Sequence, residues 1–310
     1  MEVSDKPITL VCSFKNEEIA GPAFVSDLLS HLKPSAYKYN LILVDDGSTD
    51  QTTNSLLPYT DSNVSLLKLD RNIGKVAAQA VGARKFHNAA SDLVFFDGDG
   101  QHHALEILKI IHHGRLSSNI TVGERSQQYQ RKLKSKAGIV LLRGIFKLLG
   151  IKTSLQNSEL VFIPSQDTSK ILSHVDFGFL PINNLLTGLK VDEVPIRIYS
   201  RLSDVPANGT RHQSIDLVRK GLIQIYSQPL RMLKRVVVVG LVPVISIFLY
   251  GIFVGLRSIQ EGDPTGVGSI VVIISFSTVL ILVLGSMSFG FLIVISEWTR
   301  TRADIERELK

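Results

Sequence analysis

The sequence predicts an α/β fold with a mainly parallel sheet, followed by a membrane-associated last quarter. Three observations lead there. Apolar strand-like runs alternate with helical stretches from Met1 to about Ser200. Acidic residues stand at or within three residues of the ends of three of those runs. Two long charge-free segments follow, from Val236 and from Val267.

The elements follow in order. ITLVCSF is a first strand, with Glu17 just beyond it, and NEEIAGPAFVSDLLSHL is helical. The acidic start and short apolar run of MEVSDKPITLVCSF read as a first strand rather than a signal peptide. LILVDDGS is a strand entering a turn, and TDQTTNSLLPY is helical. VSLLKLD is the third strand, before the helix KVAAQAVGARKFHNAA. DLVFFDGDG is the fourth strand, before the helix ALEILKIIHHGR. This β-α-β-α order implies parallel pairing, and no repeat or low-complexity tract interrupts it.

Val236 to Leu256 is about 21 residues without a charge, the length a bilayer-spanning helix needs, with Pro243 as a kink site. Val267 to Ser296 runs about 30 residues without a charge, enough to span with tilt. Arg219, Lys220, Arg231, Lys234 and Arg235 precede the first segment, and Arg300, Arg302 and Arg307 follow the second. The intervening loop has only Arg257, against Glu261 and Asp263. The positive-inside rule then puts the N-terminal domain and both termini in the cytoplasm. Ser214 to Met232 mixes apolar and basic positions at helical spacing, with Ile215, Val218, Leu222, Ile225 and Tyr226 on one face. It reads as an amphipathic helix on the membrane surface, or as a packing helix of the soluble domain. The expected division is residues 1–212 for the α/β domain, 213–235 for the interface helices and 236–310 for two transmembrane helices with a short tail.

Composition agrees with this plan. The 310 residues are 45% hydrophobic, with a formal charge of +6 that suits anionic membrane surfaces or phosphate-bearing substrates. Cys12 is the single cysteine, which excludes an intrachain disulfide and a cysteine zinc site. Nucleic-acid binding is disfavoured, since no platform of interleaved aromatic and basic residues is present.

Open parallel sheets bind ligands beyond the carboxyl ends of their strands. Glu17, the Asp45–Asp46 pair and the Asp97-Gly-Asp99 run all fall there. Asp-Gly-Ser is also a common turn sequence, so each cluster alone has a structural reading. Three at matching strand ends point to a shared site. Two carboxylates two residues apart, flanked by Gly98 and Gly100, suit a divalent cation shared with a phosphate. No GxxxxGK[ST] loop is present, and no GxGxxG follows the first strand, which disfavours a P-loop nucleotidase and a dinucleotide site.

These residues resemble the family 2 glycosyltransferases of the GT-A (Rossmann-like) fold, over most of residues 8 to 235. The resemblance rests on Asn16-Glu17-Glu18, VDDGSTDQT (Val44–Thr52), DRNIGKVAAQAVGA (Asp70–Ala83) and FDGDGQHH, the D-x-D segment in its D-x-D-G-Q-H form. VGERS, EVPIRIYSR and SQPLR recur later. With two C-terminal spans, the chain looks like the polyprenyl-phosphate (dolichyl-phosphate) sugar synthase branch. The resemblance implies that Glu17, Asp45 and Asp46 lie near the base and ribose of a nucleotide sugar. It implies that Asp97 lies against the nucleotide and, with Asp99 and Gln101, serves Mg2+ or Mn2+ on the diphosphate. Arg125 would reach phosphate. Lys75, like Arg71, flanks the tight Asn72-Ile73-Gly74 turn and joins the nucleotide side. Arg131, Lys132, Lys134, Lys136, Arg201 and Arg211 are the candidate cations for an acceptor phosphate. The family's D-x-x-S-G-F-R segment stands here as LQNSELV (Leu155–Val161), without its acid, glycine and arginine, and Ser13 and Lys15 replace a usual proline and aromatic.

The implied reaction is an inverting transfer of one sugar, from a UDP- or GDP-sugar to a polyprenyl or dolichyl phosphate at the cytoplasmic membrane face. An acceptor phosphate, with a second pKa of about 6, is already ionised and needs no general base. The metal and Arg125, together with Asp97 and Asp99, would serve the charge growing on the leaving diphosphate. The alternatives are transfer to another lipid or glycan, and a non-catalytic nucleotide-binding membrane protein of the same fold. Processive synthases carry Q-x-x-R-W, and the only tryptophan here is Trp298. A homo-oligomer is compatible with the sequence, which sets no oligomeric state.

Overall fold

The computed structural model describes residues 6–125, 157–172, 189–199 and 267–310, with isolated positions between 246 and 260. The apolar runs form the expected strands: β1 (Ile8–Phe14), β2 (Tyr39–Asp45), β3 (Val64–Lys68) and β4 (Asp92–Asp97). β5 (Ile120–Arg125), β6 (Asn157–Ile163) and β7 (Val191–Ile196) complete a seven-stranded sheet, in the order β3-β2-β1-β4-β6-β5-β7. β1 pairs parallel with β2 and β4, β2 with β3, and β5 with β7, whereas β6 runs antiparallel to both its neighbours.

Among the described residues the helices are α1 (Ala20–Leu32), α2 (Thr52–Leu56), α3 (Lys75–Phe86), α4 (Ala104–Ser117), α5 (Ser165–Leu172) and α6 (Val267–Glu308). Period-two alternation divides the core between the two sheet faces. Leu10, Cys12 and Phe14 of β1 pack with Phe24 and Leu28 of α1 and Ile107 and Ile110 of α4. Val11 of β1, Ile42 and Val44 of β2, and Ala77, Ala80 and Val81 of α3 form the second cluster. Every residue of β1 and β4 is buried, as strands covered on both faces require. Helix boundaries are tighter than the sequence suggests. Asn16–Glu18 stay outside α1, and α2 gives way to a 3₁₀ turn at Leu57–Tyr59 that holds Pro58 in its first turn.

The amino edge of the sheet is closed by a buried ion pair. Arg115 Nε donates to Asp92 Oδ2 at 3.1 Å, the guanidinium also reaches the Lys6 carbonyl, and it lies 5.0 Å from the Tyr37 ring centroid. Asp92 Oδ1 accepts from the Ser165 amide at 3.0 Å, so each carboxylate oxygen has a donor.

The chain divides into two compact units: Met1–Val140 with Thr153–Thr210 and Trp298–Lys310, and Leu141–Lys152 with Arg211–Glu297. Ile305 of the first unit is fully buried in the second core cluster. The expected second span lies within the 42-residue α6. Taken over the described residues alone, no helix is long and apolar enough to cross a membrane. Many α6 side chains between 267 and 298 fall outside the described set. The expected interface helix at 214–232 and most of the first span, 236–256, also lie outside the described residues.

Candidate active site

Parallel register delivers the acids to one edge. Phe14 of β1 stands beside Asp45, and Ser13 stands beside Asp97. β6 runs the other way and pairs Val161 with Phe95, so its first residues, Asn157–Glu159, arrive at this same edge. Arg125 ends β5 there, opposite Ile196 of β7. Its side chain lies outside the described residues, as do Arg131, Lys132, Lys134, Lys136, Arg201 and Arg211.

The first part of the site is two interlocked turns. Asn16, at φ 55°, receives the Thr49 amide on Oδ1 at 3.0 Å and donates its own amide to Ser48 Oγ at 2.9 Å. Glu17 donates its amide to Thr52 Oγ1 at 2.8 Å, and Glu18 accepts the Gln51 amide at 2.9 Å. The Glu17 side chain is buried in this arrangement.

Asp45 and Asp46 differ in what they leave available. Asp45 uses both oxygens locally, accepting from the Ser48 amide at 2.8 Å and from the Thr53 hydroxyl. Asp46 reaches across to the Asp70–Gly74 turn and accepts the amides of Ile73 (2.7 Å) and Gly74 (3.1 Å). Burial pushes the Asp46 carboxyl up to about 6, and neighbouring Asp45 adds to this against the two amides and Lys15. Lys15 donates to the Gly47 carbonyl. The backbone of Arg71 and Asn72 lies directly against Gly47, which holds φ +60°.

The second part is the Asp97–Gln101 loop. The Gly98 amide donates to the Ser13 carbonyl at 3.0 Å, and Gly98 sits on the Phe14 ring where no Cβ fits. Asp99 accepts the Gln101 amide on Oδ1 at 3.0 Å. Asp97 and Asp99 are both buried, and Asp97 Oδ1 has no hydrogen-bond partner among the described residues. A buried carboxylate oxygen left this way calls for a cation or a donor. Lys75, the first residue of α3, supplies one on the other oxygen, donating to Asp97 Oδ2 at 3.0 Å. It also donates to Glu159 of β6.

Glu159 is a site residue that sequence reasoning missed, since it stands in the segment singled out for what it lacks. Tyr199 is another. Its ring stacks on His103 at 3.6 Å between centroids, and its amide donates to the Gln101 carbonyl at 3.1 Å. The EVPIRIYSR motif was the available signal. Among the described residues no group of three or more His, Cys, Asp or Glu side chains could hold a metal by itself. The buried Asp97 oxygen with no partner among the described residues suits a cation that takes most of its ligands from elsewhere, as phosphate-bound Mg2+ and Mn2+ do.

Part of the chain is similar to known proteins. Residues 9–139 match the model of Glycosyl transferase family 2. That stretch holds β1 to β5 and every acid described above except Glu159. An undecaprenyl-phosphate 4-deoxy-4-formamido-L-arabinose transferase from Yersinia pestis (strain Pestoides F) is 32% identical over 111 residues, 34% of this chain and 33% of that protein. The chain thus spans about a third of the length of the curated relatives it matches. Among solved structures, glucosyl-3-phosphoglycerate synthase from Mycobacterium tuberculosis with phosphoglyceric acid aligns at TM-score 0.49 and 18% identity, covering 70% of this chain and 79% of that one. The same enzyme with Mn2+, UDP-glucose and phosphoglyceric acid aligns at 0.47 and 16%, covering 71% and 79%. Mannosyl-3-phosphoglycerate synthase from Rubrobacter xylanophilus aligns at 0.48 and 10%, covering 84% and 76%.

Proposed function

We propose that the protein is a metal-dependent GT-A glycosyltransferase that moves one sugar from a nucleotide diphosphate sugar to a polyprenyl phosphate at a membrane face. The observation that carries this reading is the buried Asp97 oxygen without a partner, beside Asp99, at the edge where three strands deliver acids. The family match over residues 9–139 and the undecaprenyl-phosphate transferase relative support it. Asp97 and Asp99 would hold Mg2+ or Mn2+, with Gln101 on the same loop. The bound ion would stabilise the charge that grows on the leaving diphosphate. Lys75 is poised beside Asp97 to share that task. Asp46 and the Asp70–Gly74 turn would face the nucleoside, with Glu17 in the adjoining turn.

The membrane part of the reading draws on two further observations. Ile270, Ile273, Ile274, Ile281, Leu284 and Leu292 of α6 are all exposed, a surface that suits lipid better than water. Trp298–Lys310 shares a compact unit with the sheet, so the sheet and the segment after α6's apolar stretch would lie on one side of any bilayer. An even number of crossings, such as the two charge-free segments supply, meets that condition. Flanking positive charge makes that side the cytoplasm.

A second reading is favoured by Glu159. A carboxylate at this edge repels an anionic acceptor and suits a hydroxyl acceptor, whose proton it could take. The deciding experiment incubates the detergent-purified full chain with UDP- and GDP-sugars, Mn2+ and either polyprenyl phosphate or hydroxyl acceptors. Glycosylated polyprenyl phosphate, lost on chelation and in Asp99→Asn, is the expected result. Transfer only to hydroxyls establishes the second reading, and no turnover of any donor refutes both.

A further inference from the structure

Arg71 belongs to the turn that covers Asp46, yet its partner comes from 233 residues away. Its guanidinium pairs with Asp304 of the Trp298–Lys310 segment. This is not a contact between two loose surface chains. Asp304 is only 15% exposed, and the next residue, Ile305, is fully buried in the cluster that holds Leu69 and Ala77 and against which Ile73 and Val76 pack. Glu306 lies near the same helix. Its carboxyl is held below the usual range first by the Arg302 hydrogen bond, and Arg84 of α3 contributes as well. Two successive residues, Asp304 and Ile305, therefore engage α3 and the turn before it.

That turn is mechanically joined to the site. The Arg71 and Asn72 backbone abuts Gly47, and the next two amides, Ile73 and Gly74, bind the two oxygens of Asp46. Gly74 then opens α3, whose first residue, Lys75, contacts Asp97. A pull on Arg71 is thus transmitted to both acidic clusters within a few residues.

We propose that Asp304 is a positioning residue for the nucleotide side of the site, holding Arg71 so that the Asp70–Gly74 turn stays closed over Asp46. The segment Trp298–Lys310 is on this view a working part of the nucleotide pocket. The link to nucleotide binding rests on the glycosyltransferase reading, whereas the link to the turn does not.

The experiment uses the full chain in detergent with Asp304→Ala, Asp304→Asn and the swap Arg71→Asp/Asp304→Arg. Amide exchange of the peptide covering 70–75 is read first. It should quicken about fivefold in both single variants, the upper range of what a partly exposed ion pair contributes. The swap should restore it. Affinity for UDP or GDP with Mn2+ should weaken by a similar factor in the single variants and recover in the swap. Unchanged exchange in Asp304→Asn, the variant least able to disturb packing, overturns the inference, as does a swap that fails to restore it. If the wild type binds neither nucleotide, the glycosyltransferase reading fails, while the exchange result still decides whether Asp304 holds the turn.

Discussion

Replacing Gly47 with alanine tests how the two acidic turns are joined. Gly47 holds φ +60°, and an added Cβ would stand 2.3 Å from the Arg71 carbonyl carbon and 2.6 Å from the Asn72 nitrogen. Ordinary contact begins at 3.4 Å, so the Arg71–Asn72 backbone must retreat by about 1 Å. The left-handed conformation alone costs about 1 kcal/mol or slightly more for alanine. The retreat also draws Ile73 and Gly74 away from Asp46, and a buried bond to a charged acceptor contributes about 1.5–3 kcal/mol. Losing one such bond brings the total to about 3–4 kcal/mol, a fall in Tm of about 10 °C for a unit of this size. Gly74→Ala is the control. It lies in the same turn at φ +93° and ψ 143°, with nothing within 4 Å of the added Cβ, so it loses about 1–3 kcal/mol through its conformation and none through a clash. Thermal unfolding in detergent and nucleotide affinity are measured for both. A Gly47→Ala loss of only about 1 kcal/mol, the left-handed cost alone, would refute the coupling, because then the contact with Arg71 contributes nothing.

The remaining predictions concern charge and packing. Because burial raises Asp46 to about 6 from an ordinary 3.8, the fold binds that proton more tightly than the unfolded chain does. Stability from this group is thus present below pH 3.8 and lost as pH rises through 6, by up to about 3 kcal/mol, and Asp46→Asn should flatten that slope in unfolding measured against pH. Donor affinity, if it uses ionised Asp46, should fall about tenfold per unit below pH 6 in the wild type only. Gly98→Ala places a Cβ 2.2 Å from the Phe14 ring and should cost about 1–3 kcal/mol while weakening Mn2+ binding, read by titration calorimetry with UDP. Arg115→Ala strands Asp92 at the amino edge and should cost about 3–5 kcal/mol, with nucleotide affinity of the folded protein unchanged.

What the sequence made legible was the set of strand ends. A run such as LVFF or LILV passing into acid marks both a buried strand and the place it leaves the core, and β1, β2 and β4 follow that pattern. The pairings between distant segments were not legible. Glu159 comes beside Lys75 because β6 runs antiparallel between β4 and β5, and strand direction leaves no trace in period-two alternation. Asp45 read as a ligand equal to Asp46, although its Asp-Gly-Ser-Thr context already signalled the turn that occupies both its oxygens. Asn16 and Thr49 each looked like turn residues, and only the register of β1 against β2 turns them into one interlocked pair. Asp304 offered no signal at all, being one acid within the charged TRTRADIERELK stretch.

The two edges of the sheet show how such a fold separates stability from chemistry. At the amino edge, Arg115 and Asp92 are both buried and satisfy one another, with the Lys6 carbonyl and the Ser165 amide taking the remaining positions. Removing either would strand a charge, but together they leave nothing for a ligand to add. At the carboxyl edge the arithmetic is different. Asp97, Asp99, Glu159 and Asp46 gather there, while Lys75 is shared between two of them and Lys15 is directed at a carbonyl. The described residues thus hold an excess of negative charge where a diphosphate is expected. On the glycosyltransferase reading, a divalent cation held at the Asp97 oxygen that has no partner among the described residues would reverse the sign locally and attract a phosphate. On that reading, the Asp97 oxygen without a partner among the described residues is the position a metal-bound phosphate would use.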